Sequence, residues 1–347
     1  MLVDSPPEQR AETAPAPPNR RAIRSLGLLA SVALLTLVAL ASVALGAKAL
    51  PLDQVWHGLF HASGTYGDVV VGERVSRTVL GLLVGAALGL SGAVLQALTR
   101  NPLADPGLLG INAGASAAVV TAITFFGVTS LNGYVWFAFF GAAAVGALVW
   151  FLGGSRGATP VRLALAGTAI SAALYGYLQA VMIMDNAALG KMRFWTVGSL
   201  SSAGDSTIRQ VLPFLAVGTL VALALAKPLN AMAMGDDTAR ALGADLNRTR
   251  ALSMAAATVL SGAATAACGP IVFVGLMVPH LVRSFTGPDM RWILPYAAVL
   301  SPVLLLGADV IGRLVARPAE LQVGIVTAVL GGPVFIHLVR RRRTAQL

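Results

Sequence analysis

The sequence predicts an all-α membrane protein with about ten transmembrane helices. Of its 347 residues, 56% are hydrophobic and only 12% are charged, and the mean hydropathy is +0.76. Charged residues make up about a quarter of an average soluble domain, so this chain has too few to cover a soluble surface. Long stretches also lack Asp, Glu, Lys and Arg altogether. A helix needs about 20 apolar residues to cross roughly 30 Å of hydrocarbon, and these stretches are long enough.

The positions of the uncharged stretches predict the individual helices. The two longest stretches, residues 106–155 and 251–282, exceed the length of one transmembrane helix, so each is divided into two. Two external connections, 48–77 and 185–206, and one internal connection, 227–250, are long; the others are short, so consecutive helices pack antiparallel. The predicted helices cover residues 26–47, 78–98, 108–126, 134–152, 162–184, 208–226, 251–267, 273–284, 292–312 and 322–339.

The distribution of basic residues predicts that both chain termini lie in the cytoplasm. With residues 1–25 placed inside, 17 of the 25 Lys and Arg residues fall on the internal side and 8 on the external side. Positive charge accumulates on the cytoplasmic side of membrane proteins, so the net charge of +10 reports topology and not nucleic-acid binding. We expect a disordered cytoplasmic tail over 1–25, a transmembrane domain over 26–340 and a basic cytoplasmic C-terminus over 341–347.

A short internal match raises the hypothesis of an inverted repeat. The tetrapeptide Leu-Ser-Gly-Ala at residues 90–93, in the second predicted helix, recurs at 260–263 in the seventh. An offset of five helices is odd, so two five-helix halves would have opposite orientations in the membrane, as in many transporters. Chance similarity is the alternative, because the chain is rich in Ala, Gly and Leu.

The segment Asn101–Pro106, with the sequence Asn-Pro-Leu-Ala-Asp-Pro, separates two apolar stretches on the internal side. Pro102 and Pro106 lack backbone donors and push the residues before them towards extended geometry. Asp105 is placed to cap the helix that follows, since a carboxylate accepts hydrogen bonds from free N–H groups at a helix N-terminus. Local chemistry favours a rigid turn, and a functional loop is the alternative.

A short helix is predicted inside the long internal connection, over residues 235–243. Asp236 is a candidate N-cap, Asp237 complements the helix dipole and Gly243 suits the C-terminal end, which gives about two turns. Ala239 and Leu242 are expected on one face by their i, i+3 spacing. Two interpretations are equally open: the helix docks in a groove of a partner protein, or it lies on the membrane surface.

A broken helix is predicted between residues 269 and 283, where Gly269, Pro270 and Pro279 interrupt an apolar run. Broken helices at membrane depth occur where protein or a cavity covers the free backbone groups. His280 and Arg283 follow the second proline. We interpret His280 as structural, because a metal site would need further ligands and the other histidines are remote in sequence.

Three arginines flank predicted helices on the external side. Arg74 and Arg77 precede the second helix, and Arg313 follows the ninth. Anchoring at the membrane interface is the ordinary role of such arginines. A docking site for an acidic external partner is the alternative.

The sequence lacks an ATP-binding motif and central ionisable residues in its apolar stretches, and this limits the kinds of transport protein that it can be. No segment matches Gly-x-x-x-x-Gly-Lys-Ser/Thr, and none of the lysines, Lys48, Lys191 and Lys227, fits it, so the chain does not bind ATP through a P-loop. No apolar stretch carries a central Asp, Glu or Lys, which ion-coupled carriers usually need. We therefore predict a non-enzymatic transport path whose energy and specificity come from other subunits, and an ion-coupled secondary carrier is the disfavoured alternative.

Together these segments resemble the iron-chelate permeases of binding-protein-dependent ABC importers, the family that includes the vitamin B12 permease. The similarity covers residues 26–340, in order and at family spacing. The sequence departs from the family pattern at Val75-Ser76, where Leu-Pro is commoner, and at Gln322, where Pro usually follows Glu-Leu. The resemblance is carried by Arg74 and Arg77, by Ser91-Gly92-Ala93 with Gln96, by 101–106 with Gly110, by Gly114-Ala115, by 163–167, by Trp195 with 198–200, by Gly235-Asp236 with Ala239 and Leu242-Gly243, by 269–283, by Asp309 with Arg313, and by Gly331, Pro333 and Phe335.

The resemblance implies a type II ABC importer permease, one of two identical or paralogous subunits that enclose a pathway across the cell inner membrane. Two cytoplasmic ATPase subunits would bind ATP and Mg²⁺, and this chain would hold no cofactor and no metal of its own. An external substrate-binding protein would deliver the cargo. A ferric siderophore is the expected cargo, with cobalamin and haem as alternatives.

The resemblance also implies roles for individual residues. The segment 235–243 would be the coupling helix that seats in the ATPase, and the three external arginines would pair with glutamates of the binding protein. The two proline-containing segments would have structural or gating roles. By number, the coupling residues are Gly235, Asp236, Asp237, Ala239, Arg240, Leu242 and Gly243, and the structural or gating residues are Asn101, Pro102, Asp105, Pro106, Gly269, Pro270, Pro279, His280 and Arg283.

Overall fold

The computed structural model describes residues 20–61, 63–128, 130–154, 160–201 and 204–344. Within these ranges all regular structure is helical, which confirms the all-α prediction. A 3-10 turn, Pro106–Leu109, accompanies the α-helices. In chain order these are α1 (Arg20–Ala44), α2 (Leu52–Phe60), α3 (Tyr66–Leu98), α4 (Ile111–Phe126), α5 (Leu131–Gly154), α6 (Pro160–Met184), α7 (Asn186–Trp195), α8 (Asp205–Ala224), α9 (Ala226–Ala233), α10 (Asp236–Ala241), α11 (Leu246–Cys268), α12 (Val274–Thr286), α13 (Met290–Val315) and α14 (Val323–Thr344).

The ten predicted transmembrane helices correspond in order to α1, α3, α4, α5, α6, α8, α11, α12, α13 and α14. Seven of them are long and apolar enough to cross a membrane by length and composition, and Ile111–Phe126 and Val323–Ile336 are shorter apolar helices. α12 has only 13 residues, because the chain between Cys268 and Val274 is not helical. This is the architecture of a multi-pass membrane protein.

The start of α3 differs from the prediction. The helix begins at Tyr66 and not near residue 78, because a capping box starts it. Thr65 Oγ1 accepts a hydrogen bond from the Asp68 amide (3.4 Å), and the Asp68 carboxylate accepts one from the Thr65 amide (3.0 Å). The charged residues that follow therefore belong to a helix of 33 residues, which is longer than the hydrocarbon requires.

The first and last helices are both longer than predicted at the ends that face the chain termini. α1 begins at Arg20, so residues 20–25 are helical. α14 continues to Thr344, so residues 341–344 are helical as well. The rest of the predicted tail, 1–19, and the last three residues, 345–347, lie outside the described residues.

The three long connections contain short helices of their own. α2 lies in the first external connection and α7 in the second. Asp185 caps α7, because its carboxylate accepts hydrogen bonds from the amides of Ala187 (2.9 Å) and Ala188 (3.2 Å). α9 and α10 lie in the internal connection, and α10 is the short helix predicted there.

α3 and α11 form the centre of the bundle. In the most apolar part of each of these helices, 78% of the residues are buried, against 6% in α1 and 17% in α6. α3 packs against α12 and α13, whereas α11 packs against α4 and α5. In two five-helix halves, α3 corresponds to α11, and α12 and α13 correspond to α4 and α5. The two sets of contacts are therefore equivalent, as an inverted repeat requires. The matched tetrapeptides lie in these two helices, and Ser91 Oγ of α3 donates to the Ala257 carbonyl of α11 (2.9 Å).

Candidate functional sites at the two ends of the bundle

The internal end of the bundle carries α10, the predicted coupling helix. Gly235, at φ +107°, is its N-cap, so the prediction of Asp236 as the N-cap is wrong. Asp236 is the first helical residue, and its side chain bonds to arginines instead. The C-terminal end agrees with the prediction: Gly243 has φ +79°, and its amide donates to the Arg240 carbonyl (2.9 Å).

The two faces of α10 differ from the predicted arrangement. Ala239 is fully buried against the chain itself, while Leu242 is 62% exposed. The prediction that they share one face is wrong, because the helix ends at Ala241 and Leu242 already belongs to the turn. The exposed surface includes Asp237, Arg240 and Leu242, together with Thr238 and Ala241. Asp237 and Arg240 are joined by an ion pair of 3.0 Å.

Asp236 joins α10 to two transmembrane helices. One carboxylate oxygen accepts from Arg100 Nη2, just beyond α3, and the other accepts from Arg250 Nη2 of α11, both at 2.6 Å. Arg100 Nη2 also donates to the Met232 carbonyl of α9 (2.6 Å). Partial burial raises the pKa of the Asp236 carboxyl, but the two arginines outweigh it and the pKa lies below its ordinary value. The group is therefore an ionised carboxylate between two cations.

A second contact, which was not predicted, holds the internal connection against α13. Asn230 of α9 donates from Nδ2 to the Asp289 carboxylate (2.6 Å) and accepts from the Met290 amide (2.8 Å). Asp289 is the N-cap of α13 and pairs with Arg291 (2.9 Å). The Arg291 hydrogen bonds hold the pKa of Asp289 at about 2. An Asp before a helix start is a recognisable cap signal in sequence, but its contact with α9 is not.

The segment 101–106 forms the predicted rigid turn. Asn101 Oδ1 accepts from the Leu103 amide (3.0 Å), and Asp105 Oδ1 accepts from the Gly107 amide (2.7 Å). Asp105 is a cap, as predicted, although it caps the 3-10 turn and not α4 itself. The turn and the start of α6 enclose a cavity of about 280 Å³. Its walls include Asn101, Asp105, Leu163, Ala164, Leu165 and Thr168.

The predicted break between α11 and α12 is present over residues 269–273. Gly269, at φ +74°, follows α11, and a Cβ there would overlap the Trp195 carbonyl oxygen. Gly198, at φ +80°, approaches the Pro270 carbonyl just as closely. The Ser199 amide donates to the carbonyl of residue 268 (2.7 Å). The break is thus covered by the segment after α7, as a broken helix at membrane depth requires.

Pro279 creates a second irregularity inside α12. It cannot donate to the Gly275 carbonyl four residues earlier. Gln96 of α3 supplies a donor, because its Nε2 bonds to the carbonyls of Gly275 (3.3 Å) and Leu276 (3.0 Å). His280 is partly buried on the same helix. The irregular helix is therefore held by α3, and this partner was not predicted.

At the external end, the three predicted docking arginines are buried. Arg74, Arg77 and Arg313 are 6%, 8% and 1% exposed. Their guanidinium groups bond within the chain, and their pairing with glutamates of a binding protein stays a prediction. The Asp309 carboxylate lies between Arg77 (2.6 Å) and Arg313 (2.9 Å), and Arg77 also pairs with Glu320 (2.6 Å).

Two of these arginines, Arg74 and Arg313, hold the end of α1. Arg313 Nη1 donates to the carbonyls of Ser42 and Leu45 (2.9 Å each), and Arg74 Nη1 donates to that of Ala44 (2.9 Å). The last carbonyls of a helix lack intrahelical partners, so cations there satisfy them. The arginines also line an open external cavity of about 690 Å³. Its acidic residues are Glu73, Asp205 and Glu320.

A polar stripe on α6 was not predicted from the sequence. The exposed side of this helix carries Thr168, Tyr175 and Gln179 among alanines, with Leu165 and Ile183 towards its ends, whereas that of α1 carries mainly leucines. Hydroxyl and amide groups in the middle of a membrane helix indicate contact with water or protein and not with lipid. Their i, i+7, i+11 spacing, which places them on one helix face, is the sequence signal that identifies the stripe.

The chain matches the FecCD transport family over residues 34–341. It belongs to that family. This FecCD permease is 45% identical over 329 residues to the ferric enterobactin transport system permease protein FepD of Escherichia coli (strain K12), covering 93% of this chain and 96% of that protein. It is 36% identical to the hemin transport system permease protein HmuU of Yersinia pestis (89% and 94% covered) and 36% identical to the cobalamin import system permease protein BtuC of Halobacterium salinarum (81% and 76% covered).

A solved structure agrees with the family assignment. It shows an inward-facing conformation of a transporter described as metal-chelate type ABC, and its TM-score is 0.80 at 26% identity, covering 91% of this chain and 99% of that chain. Family and fold together make this FecCD protein a multi-pass transport permease of the type II ABC importer class. They confirm the resemblance inferred from the sequence.

Proposed function

We propose that this FecCD permease is the transmembrane subunit of an ABC importer that carries a ferric siderophore into the cell. The 45% identity with a ferric enterobactin permease, over nearly the whole of both chains, supports this cargo above the alternatives. Cobalamin and haem are those alternatives, because permeases named for cobalamin and hemin are relatives at 36% identity.

Two such subunits, identical or paralogous, enclose the pathway. The polar stripe of Thr168, Tyr175 and Gln179 supports this arrangement, because a second subunit facing it would convert an exposed polar face into a shared channel wall. Neutral hydrogen-bonding groups hold a large metal chelate weakly, which allows it to leave on the other side. Selection among chelates then lies with the external binding protein.

Two cytoplasmic ATPase subunits drive transport and hold ATP and Mg²⁺, so the permease needs no cofactor. α10 meets them with its exposed Asp237, Arg240 and Leu242, while Ala239 and Asp236 keep it attached to the bundle. A short helix seated in a partner's groove is a common recognition mode. Closure of the ATPases then tilts the attached helices and opens the pathway alternately to each side.

An external substrate-binding protein delivers the chelate to the opposite end. The external cavity supports this, because it is rimmed by charges of both signs. Since Arg77 is already paired with Glu320, an acidic group of the partner competes with Glu320 for it. The complex lies in the inner membrane with both termini of the permease in the cytoplasm, and the excess of basic residues on the internal side supports this orientation.

Uptake of radiolabelled ferric siderophore by cells with and without the gene tests the cargo, with labelled cobalamin and haem in parallel. Loss of siderophore uptake alone supports the proposal. Loss of cobalamin or haem uptake alone retains the permease and replaces its cargo. Unchanged uptake of all three, in cells that lack a second importer for them, contradicts the proposed function.

A further inference from the structure

The inner and outer sides of α10 carry adjacent carboxylates with different contacts. Asp236 faces the bundle, is 33% exposed, and holds Arg100 and Arg250 through separate oxygens at 2.6 Å each. The Asp237 side chain is fully exposed and pairs within α10, with Arg240. Asp236 therefore ties the helix to the bundle, whereas Asp237 does not.

Arg100 lies where a movement of α10 would be passed on to the rest of the chain. It follows the end of α3 and precedes the rigid turn at 101–106. Its φ of +49° is left-handed, which a residue other than glycine adopts when its surroundings hold it there. Its guanidinium group donates hydrogen bonds both to Asp236 and to the Met232 carbonyl, so Arg100 contacts α9 and α10 at once.

The turn beyond Arg100 lies beside α6, the helix that carries the polar stripe. Two prolines and the hydrogen bonds of Asn101 and Asp105 make this turn rigid. A displacement of one end of the turn therefore moves the other end as well. Asn101 and Asp105 share the 280 Å³ cavity with Leu165 and Thr168 of α6. Thr168 belongs to the polar stripe, and the 3-10 turn Pro106–Leu109 at the end of this segment packs against α6.

We propose that Arg100 and Asp236 form a clamp that transmits the movement of α10 through the 101–106 turn to α6. This inference rests on the proposed function, in which the ATPase subunits move α10. Arg250 provides a parallel link from the same carboxylate to α11. Arg100 acts through α10 and the turn and is therefore a positioning residue.

The test uses the complete importer, reconstituted in vesicles with its ATPase and binding protein, and measures ATP hydrolysis and siderophore uptake in the same samples. Arg100→Ala and Asp236→Asn should each reduce uptake per ATP hydrolysed by about tenfold, which is the usual size of a coupling between sites. The double variant should lose less than the sum of the two single losses, because both changes break the same Arg100–Asp236 contact. Arg248→Ala, at an exposed position in the first turn of α11, should change neither rate.

Parallel losses of uptake and hydrolysis, or normal coupling in either variant, would overturn the clamp. A wild-type importer that hydrolyses ATP without moving siderophore overturns the proposed cargo instead. A second readout then decides on the clamp: the distance between spin labels at Thr238→Cys of α10 and Leu165→Cys of α6. Nucleotide should leave that distance nearly unchanged in the otherwise wild-type complex, where α10 and α6 move together, and change it with Asp236→Asn, where α10 moves alone. Equal changes in both contradict the clamp.

Discussion

At the residue scale, Asp309 is fully buried at the external end of α13, with Arg77 at 2.6 Å and Arg313 at 2.9 Å from its carboxylate oxygens. A charge removed from water is stable only with close partners. Arg77 is 232 residues away in sequence, so the pair joins α3 to α13. Arg313 extends the network to the end of α1 through the carbonyls of Ser42 and Leu45.

Arg313→Ala should lower the free energy of unfolding by about 3–5 kcal/mol, because it removes one cation from a buried carboxylate and leaves helix carbonyls without donors. Thermal unfolding of the purified permease in lipid nanodiscs measures this change. Arg209→Ala is the matched control: Arg209 is exposed on α8 with no ion pair to any residue that the structure describes, so its effect should stay below about 0.5 kcal/mol. Equal effects of the two substitutions would show that the network does not stabilise the fold.

The Asp289 carboxyl should make stability depend on pH at the acidic end. Its pKa is about 2 in the folded protein against an ordinary 3.8, because Arg291 and Asn230 bond to the ionised form. A lowered pKa stabilises the fold fully above about pH 4, and that stability, on the order of 2 kcal/mol, is lost as the pH falls towards 2. Unfolding midpoints should therefore fall more steeply between pH 5 and pH 2 in the wild type than in Asp289→Asn. Identical slopes would contradict the assignment.

At the scale of elements, α10 shows how contacts maintain a helix that local propensity does not. It has six residues, which is too few for an isolated helix to be stable in water. Ala239 packs inwards and Asp236 is held by two arginines, so the bundle fixes both its position and its orientation. The exposed side is then free to contact another protein.

Leu242→Arg and Ala239→Arg should therefore have different effects. Leu242→Arg places a charge on the exposed side, so the permease should keep its thermal stability while its affinity for the ATPase subunits falls by about tenfold or more. Ala239→Arg places a charge at a fully buried position and should destabilise the permease itself. Titration of the ATPase against each purified variant, alongside thermal unfolding, separates the two. A stable Ala239→Arg variant would mean that α10 is not packed as described.

The contact between α3 and α12 depends on a close approach of their backbones. A Cβ at Gly92 would overlap the Gly275 carbonyl, so Gly92→Ala should separate the helices and cost about 1–3 kcal/mol of unfolding free energy. Gly176→Ala on α6 is the control, because nothing lies within 4 Å of a Cβ there. It should be neutral or slightly stabilising, since alanine favours the helix. Comparison of the two melting curves checks the prediction, and a neutral Gly92→Ala would contradict it.

At the scale of the whole molecule, apolar length predicted the order and approximate positions of the ten spans, because it is a local property of the chain. The start of α3 was misplaced, since its charged first turns look like a loop until the capping box at Thr65 is recognised. The partners of buried groups were not predictable. Arg77 with Asp309, and Gln96 with the carbonyls beside Pro279, meet only through the packing of distant helices.

The faces of the bundle also became visible only in the folded chain. α1 exposes leucines, whereas α6 exposes a polar stripe, although both are uncharged over most of their length. Composition alone does not separate a lipid-facing helix from a pathway-lining one, but the face on which each polar residue lies does. The difference supports two subunits meeting around α6 and lipid surrounding α1.

We propose that this FecCD permease imports a ferric siderophore with energy from ATP. The most direct test is accumulation of radiolabelled ferric siderophore in vesicles that contain the permease, its ATPase and its binding protein, with ionophores present to abolish ion gradients. We expect accumulation that requires ATP and persists with the ionophores. Accumulation driven by an imposed ion gradient without ATP, or none when ATP is hydrolysed, would contradict it.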